Sequence, residues 1–269
     1  MNAPSTAKNP IMPQPDRPQG ERIAKLLARA GVASRREVER MIADGRVKIG
    51  EELVTTPATF LDNLKGVAVD GKPVKAAEPT RLFAFHKPTG LITAESDPGG
   101  RPTIYSALKN ALPKGTPRLM PVGRLDLNTE GLLLLTNDGA LKRTMELPAS
   151  GIPRTYRART FGTVSQKQLE SLIEGIEIEG MRYGRIDANL DRSTGRNQWI
   201  ELTLTEGKNR EVRRVLEHLD LKVSRLIRIG YGPFALDNLP RGTAVEVRKS
   251  DLERFRTSLE KPRAGKSSR

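Results

Sequence analysis

Apolar positions along the chain recur with two periods. Ile23, Leu26, Leu27 and Ala30 stand at i, i+3, i+4 and i+7, which predicts one apolar helix face closed by Gly31. Ser34 and Glu37 have capping-box spacing and open a second helix, with Val38, Met41 and Ile42 inward and Gly45 as its stop. The pattern then shortens. Val47 and Ile49, and Leu53 and Val54, flank Gly50-Glu51-Glu52 as a hairpin, and Val67 and Val69 run into the turn signal Asp70-Gly71.

Beyond a Pro- and charge-rich linker at Lys75 to Arg81, the pattern becomes mostly strand-like. Leu82-Phe83-Ala84-Phe85 and Leu119-Met120-Pro121-Val122 read as strands, and Leu132 to Leu135 as a strand buried on both faces. Ala140 to Leu147 reads as a short helix ended by Pro148, and Arg154 to Phe161 as a strand. Ser165 and Gln168 predict another capped helix, with Leu169, Leu172 and Ile173 inward and Gly175 as the stop. Residues 182–204 alternate as strands, Val212, Val215, Leu216 and Leu219 mark a helix face, and Val223 to Ile229 and Ala244 to Val247 close the set of strands. A helix over Ser250 to Phe255 follows.

These elements predict two domains. A small module spans 21–80, and an α+β domain around a mixed, mainly antiparallel sheet spans 81–255, because its strands lack a regular βαβ alternation. Segment 1–20 is Pro-rich and aperiodic, and 256–269 is basic without an apolar face; both are expected to be disordered. The N-terminus carries no apolar core and does not read as a signal peptide.

Composition narrows the chemistry. There are 46 Lys and Arg against 32 Asp and Glu, a formal net charge of +14 in 269 residues, which points to a polyanionic partner, nucleic acid first. No apolar run approaches the ~20 residues of a membrane span. Cysteine is absent, which removes disulfides, thiol nucleophiles and cysteine-ligated zinc and fits the cytoplasm. With only His86 and His218 available, acid–base or nucleophilic work falls to carboxylates, Tyr, Lys or Arg. A methyltransferase is disfavoured by the want of a glycine-rich cofactor loop after a strand.

Asp126 stands out. It lies in Gly123-Arg124-Leu125-Asp126-Leu127-Asn128, a loop between two predicted strands, where a scaffold can fix a reactive carboxylate. By spacing alone an Asp there also serves as an ordinary turn residue, and both readings stand. Lys208, Arg210, Arg213 and Arg214 crowd the start of a helix, against its macrodipole. A local rule broken in this way marks a functional place as readily as a solvated surface.

The run from Val122 through Gly123-Arg124-Leu125-Asp126, Thr129 and Gly131 to Gly139 resembles the catalytic motif of the RsuA/RluB family of ribosomal RNA pseudouridine synthases. Arg22 to Arg36 and Gly45-Arg46-Val47-Lys48-Ile49-Gly50 resemble the S-four-type RNA-binding module. Lys87-Pro88-Thr89-Gly90 and Gly100-Arg101-Pro102-Thr103 are similar to further family segments. Asn is commoner than His86 before that Lys-Pro, so His86 is given no catalytic weight. The resemblance implies that Asp126 is the catalytic aspartate, that Tyr156 stacks on the target uracil, and that Arg213 pairs with Asp126. It also implies that Arg124 binds backbone phosphate or helps the flip. RNA contacts are expected from Arg35, Arg36, Arg46 and Lys48 in the small module and from Lys208 and Arg210. The Asn209-Arg210 form resembles the large-subunit branch. The implied reaction, uridine to pseudouridine, requires no cofactor or metal. The expected partner is ribosomal RNA or a ribosome assembly intermediate, met by a monomer. A small-subunit synthase and a non-catalytic RNA-binding assembly factor are the alternatives.

Overall fold

A computed structural model describes residues 20–260. Of the segments expected to be disordered, 1–20 and 256–269, residues 1–19 and 261–269 lie outside the described residues. The chain divides into two compact units that part between Glu78 and Pro79.

The first unit runs β1 (Glu21–Arg22), α1 (Ile23–Arg29), α2 (Arg35–Ala43), β2 (Val47–Ile49), β3 (Glu52–Leu53), β4 (Phe60–Leu61), β5 (Val67–Val69) and β6 (Lys72–Pro73). Ile23 and Leu27 of α1 pack with Val38 and Ile42 of α2 over Val47 and Val67 of the sheet. The buried stripe of α1 uses Ala24 where Leu26 was expected. Ser34 caps α2 by accepting the Glu37 N–H at 3.2 Å. The sheet order is β3-β2-β5-β6, all antiparallel. Asp70 and Gly71 both take positive φ (51° and 72°), which supplies the twist that a two-residue hairpin turn requires. The β1–β4 pair was not legible, because two-residue strands carry no period.

The second unit runs β7 (Leu82–Lys87), α3 (Ile104–Ala111), β8 (Met120–Pro121), β9 (Thr129–Thr136), α4 (Gly139–Glu146), β10 (Arg154–Phe161), α5 (Gln166–Glu170), β11 (Ile176–Ile178), β12 (Met181–Tyr183), β13 (Ile186–Thr194), β14 (Asn197–Leu204), α6 (Glu211–His218), β15 (Lys222–Tyr231), β16 (Phe234–Ala235), β17 (Ala244–Glu246) and α7 (Lys249–Glu260). The main sheet has the order β13-β14-β10-β15-β9-β7-β17, with β8 on β9 and β16 on β15. Only β15 and β9 pair in parallel, so the sheet is mixed and mainly antiparallel, as the pattern predicts.

Strand β9 is buried along all eight residues. Leu133 and Leu135 pack on Phe83, Phe85 and the α3 residues Ile104 and Leu108. Leu132 and Leu134 pack on Met145 of α4 and on Leu252 and Phe255 of α7. A third cluster sets Leu169, Val212, Val215 and Leu216 over Ala158, Ile200 and Leu202. Gly131 is required where β9 meets β15: a Cβ there would lie 2.3 Å from the Arg228 carbonyl oxygen. Helix α7 overturns the expectation that the chain loses its structure at residue 256. It continues to Glu260, because Leu259 extends the apolar stripe begun by Leu252 and Phe255.

Candidate active site

The loop between β8 and β9 is held through its last four carbonyls. Leu125 C=O accepts from Thr93 Oγ1 (2.8 Å), and the same hydroxyl accepts the Leu125 N–H (3.2 Å). Asp126 C=O accepts from Thr129 N–H (3.0 Å) and from Lys87 Nζ (3.0 Å). Leu127 C=O accepts from Gly90 N–H (2.8 Å), and Asn128 C=O from Arg213 Nη2 (2.9 Å). Gly123 N–H donates to Glu146 at 2.6 Å. With its backbone tied at so many points, the loop fixes where the Asp126 side chain points. The Asp126 carboxylate thus lines the cleft from a tethered backbone.

Lys87 is the centre of this clamp. It ends β7 fully buried, and its Nζ donates to the carbonyls of Pro88, Asp126 and Thr129 at 3.1, 3.0 and 2.9 Å. An ammonium has three protons to give, and here each has a carbonyl. Burial pushes its pKa down to about 8, against the opposing pull of Asp126 and Glu130.

The expected Arg213–Asp126 ion pair is not formed. Arg213 is buried, and its guanidinium spans the carbonyls of Asn128 (2.9 Å) and Val223 (3.3 Å), so it braces the end of the aspartate loop. Burial lowers its pKa, Arg210 adds to that, and the Asp126 charge works the other way. The direct partner of Asp126 is Arg210, Nη1 to Oδ2 at 3.8 Å. The backbone decides this. Helix α6 begins at Glu211, and Arg210 before it takes a left-handed conformation (φ 50°). Neither partner is buried: the Asp126 side chain is 41% exposed and that of Arg210 44%. A pair this open and this long is worth ~0–1 kcal/mol, so it orients more than it stabilises.

Asp126, Tyr156, Arg210, Arg213 and the exposed Arg124 line one cleft of about 660 Å³. Tyr156, on β10, is half-buried between two apolar clusters, which hold its ring on the wall. Arg154 and Arg228 also line the cleft and are buried. Arg154 donates to Thr205 C=O at 2.6 Å and Arg228 to Leu132 C=O at 2.7 Å, so neither charge is spent on a carboxylate there. Lys208 is tethered to Glu206 (2.7 Å) and to Arg182 C=O (2.6 Å). In the first unit Arg35, Arg36 and Lys48 are exposed, while Arg46 is held by Asp70 in a two-point ion pair at 2.8 and 2.7 Å. His86 is packed, with Nδ1 2.7 Å from Leu239 C=O. Among the described residues no cluster of His, Cys, Asp and Glu could hold a metal, and no helix is long and apolar enough to cross a membrane.

Lys87, Arg154, Arg228 and Glu211 escaped the reading of the sequence as site residues. For Lys87 the signal was present, in the Lys-Pro-x-Gly segment that follows an apolar strand. For the two arginines and Glu211 only the fold shows that they meet at one cleft.

The Asp126 loop enters β9, the strand paired in parallel with β15, beside a cleft lined by several arginines, and the comparisons give the family of an enzyme with this arrangement. Residues 81–218 match the RNA pseudouridylate synthase family and residues 21–62 match the S4 domain, so the chain belongs to the RNA pseudouridylate synthases, with an S4 domain ahead of the catalytic one. It is 45% identical over 229 residues to an uncharacterized RNA pseudouridine synthase of Rickettsia bellii, covering 85% of this chain and 97% of that one. It is 39% identical over 254 residues to the ribosomal large subunit pseudouridine synthase B of Shigella flexneri, covering 90% and 84%. A crystal structure of a pseudouridylate synthase superposes with a TM-score of 0.58 at 26% identity, covering 86% of this chain and 98% of that one.

Proposed function

We propose that this enzyme converts a specific uridine of large-subunit ribosomal RNA to pseudouridine, with Asp126 as the reacting carboxylate. The observation that carries the reading is the Asp126 side chain, projecting from a clamped loop into a cleft whose wall bears Tyr156. Relatives at about 40% identity named for the large subunit support the choice of RNA.

The reaction breaks the glycosidic C1′–N1 bond and joins C1′ to C5 of the rotated base. C5 loses its proton and N1 gains one, so atoms and charge balance without an outside reactant. Asp126 serves as nucleophile or as proton acceptor, and an ionised carboxylate suits either role. Tyr156 offers a face on which the base stacks, worth ~1–3 kcal/mol. A duplex hides C5 and N1, so the target is unpaired or flipped out. Arg124, exposed beside Asp126, meets the backbone phosphate of the displaced nucleotide. Arg213 holds the loop from behind, and Arg210 meets the charge of Asp126. The module over 21–80, through Arg35, Arg36 and Lys48, holds flanking RNA. The protein acts as a monomer in the cytoplasm.

Mapping pseudouridine in ribosomal RNA from cells with wild-type or D126N protein tests this. One large-subunit site should disappear with D126N and return with wild type. A site lost from the small subunit instead, or no site lost at all, would overturn the assignment.

A further inference from the structure

Behind Arg210 the cleft wall holds two carboxylates that the chemistry above does not use. Glu211, the first residue of α6, is only 3% exposed. Its Oε2 accepts the backbone N–H of Lys208 at 2.8 Å, and its own N–H donates to Lys208 C=O at 3.3 Å. Those two bonds close the turn Lys208-Asn209-Arg210, the turn that holds Arg210 left-handed with its guanidinium toward Asp126. The other oxygen, Oε1, is buried without a donor.

Glu206 stands beside it: both carboxylates line the cleft and both bond to Lys208. Glu206 accepts from Gly184 N–H at 2.5 Å and from Lys208 Nζ at 2.7 Å. Among the described residues, Lys208 is the side-chain cation bonded into this cluster. Arg154, reaching in from β10, donates to the carbonyls of Thr205 and Glu206 and not to either carboxylate. From β12, Tyr183 brings a buried phenol under Lys208, and along the helix Arg210 and Arg213 turn toward the aspartate loop. One buried and one partly exposed carboxylate, with a single ammonium bonded to Glu206 alone, leave a net negative charge if both ionise. A single proton removes it and supplies the donor that the second carboxylate accepts.

We propose that Glu206 and Glu211 share one proton at neutral pH, and that this proton locks the turn presenting Arg210 to Asp126. Glu211 is in this sense a positioning residue: a neutral acid doing the work of an amide. The inference rests on the reading of Asp126 as the reacting group only for its effect on turnover. The direction of titration agrees. Burial first, and then the adjacent Glu206, push Glu211 up to about 7, although a helix N-terminus ordinarily favours an ionised carboxylate. Burial pushes Glu206 up as well, but the donors Lys208, Gly184 N–H and Glu211 outweigh it and hold Glu206 below the ordinary range.

The test is the carboxyl carbon titration of full-length protein labelled at glutamate, together with single-turnover rates at saturating RNA against pH. One glutamate should titrate near 7 and be absent from E211Q, which is neutral at every pH. Wild-type turnover should fall as pH rises through that same value. E211Q should resemble wild type at about pH 6 and hold its rate to higher pH, falling only where Lys87 loses its proton. E206Q removes the adjacent charge and should move the Glu211 titration downward, and it serves if E211Q does not fold. No glutamate titrating above about pH 6, or an E206Q protein whose titration is unmoved, overturns the proposal. The titration is independent of which residue reacts, so an active D126N protein would end the functional reading and leave this one standing.

Discussion

Lys87 Nζ lies 3.0 Å from the backbone carbonyl oxygen of Asp126, so a buried ammonium holds the main chain of the residue whose carboxylate faces the cleft. The two are 39 residues apart in sequence. Lys87 makes no ion pair in this position; its three protons go to three carbonyls.

Replacing Lys87 by Met should therefore disable the enzyme without touching the carboxylate proposed to react. The carbonyls of Pro88 and Thr129 lose their donor, at a cost of ~1–3 kcal/mol for each group left buried and unsatisfied. Turnover should fall much further than RNA affinity, and melting temperature should drop. A K87M protein with normal turnover would show that the loop orders itself without the clamp.

The same residue sets an alkaline limit with opposite signs for activity and stability. The folded pKa is depressed to about 8 from 10.5, so between those values the unfolded chain binds more protons and stability rises with pH. Below about 8 the cost of burying the ammonium is fully present. Turnover runs the other way, because a neutral amine has only two protons for three carbonyls. Thermal unfolding and single-turnover rates, measured across that range on E211Q to remove the titration of Glu211, should move in opposite directions. Parallel changes would mean that Lys87 does not govern the limb.

The two arginines at the start of α6 should separate in their effects. Arg213 is buried on the carbonyls of Asn128 and Val223, so R213M leaves both without its donor and should destabilise the fold and lower turnover together. Arg210 is exposed and 3.8 Å from the carboxylate, so R210M should leave the free energy of unfolding within ~1 kcal/mol of wild type while reducing turnover. Calorimetry and kinetics on both variants decide it. If R210M is fully active and R213M is stable but inactive, Arg213 is the functional partner of Asp126 once RNA is bound.

How much of this was legible depends on the range of the contact. Leu132 to Leu135 announced a doubly buried strand because a strand with cores on both faces needs no polar alternation. Ser165 and Gln168 announced a capping box, and both of its bonds form. Asp126 was found through a long motif. What sequence does not carry is the destination of a long polar side chain. A lysine after an apolar strand looks the same whether its ammonium reaches water or three carbonyls of a distant loop. Likewise, the family resemblance put Arg213 on Asp126, whereas a single left-handed residue outside any period brings Arg210 there instead. Helix α7 was read five residues short because basic side chains masked Leu259.

Tyr156 should act through its ring. Y156F keeps the half-buried face between the two apolar clusters and should bind RNA as wild type does, even if turnover falls. Y156A removes the stacking surface, worth ~1–3 kcal/mol per base. The measurement is affinity for RNA carrying a non-reacting uridine analogue at the target. Equal losses in the two variants would show that the ring is not the base platform.

The S4 domain should add affinity and leave the chemistry to the second unit. Asp126, Tyr156, Lys87 and Arg213 all belong to the unit beginning at Pro79, which has three apolar clusters of its own. A protein starting there should fold, as circular dichroism would show, and should retain turnover at high RNA concentration. It loses the exposed Arg35, Arg36 and Lys48, but the removal of Arg46 should matter less, because that guanidinium is already held by Asp70. Each RNA phosphate that the shortened protein no longer neutralises should reduce the slope of log affinity against log salt by ~0.7 on single-stranded RNA. The shortened protein should therefore bind more weakly at low salt, with a shallower slope, and approach the full chain as salt rises. In the full chain, R35E/R36E should reproduce part of the change and R46Q little of it. Unchanged affinity and slope on removing the whole unit would mean that its basic residues are a solvated surface and that the second unit selects the RNA alone.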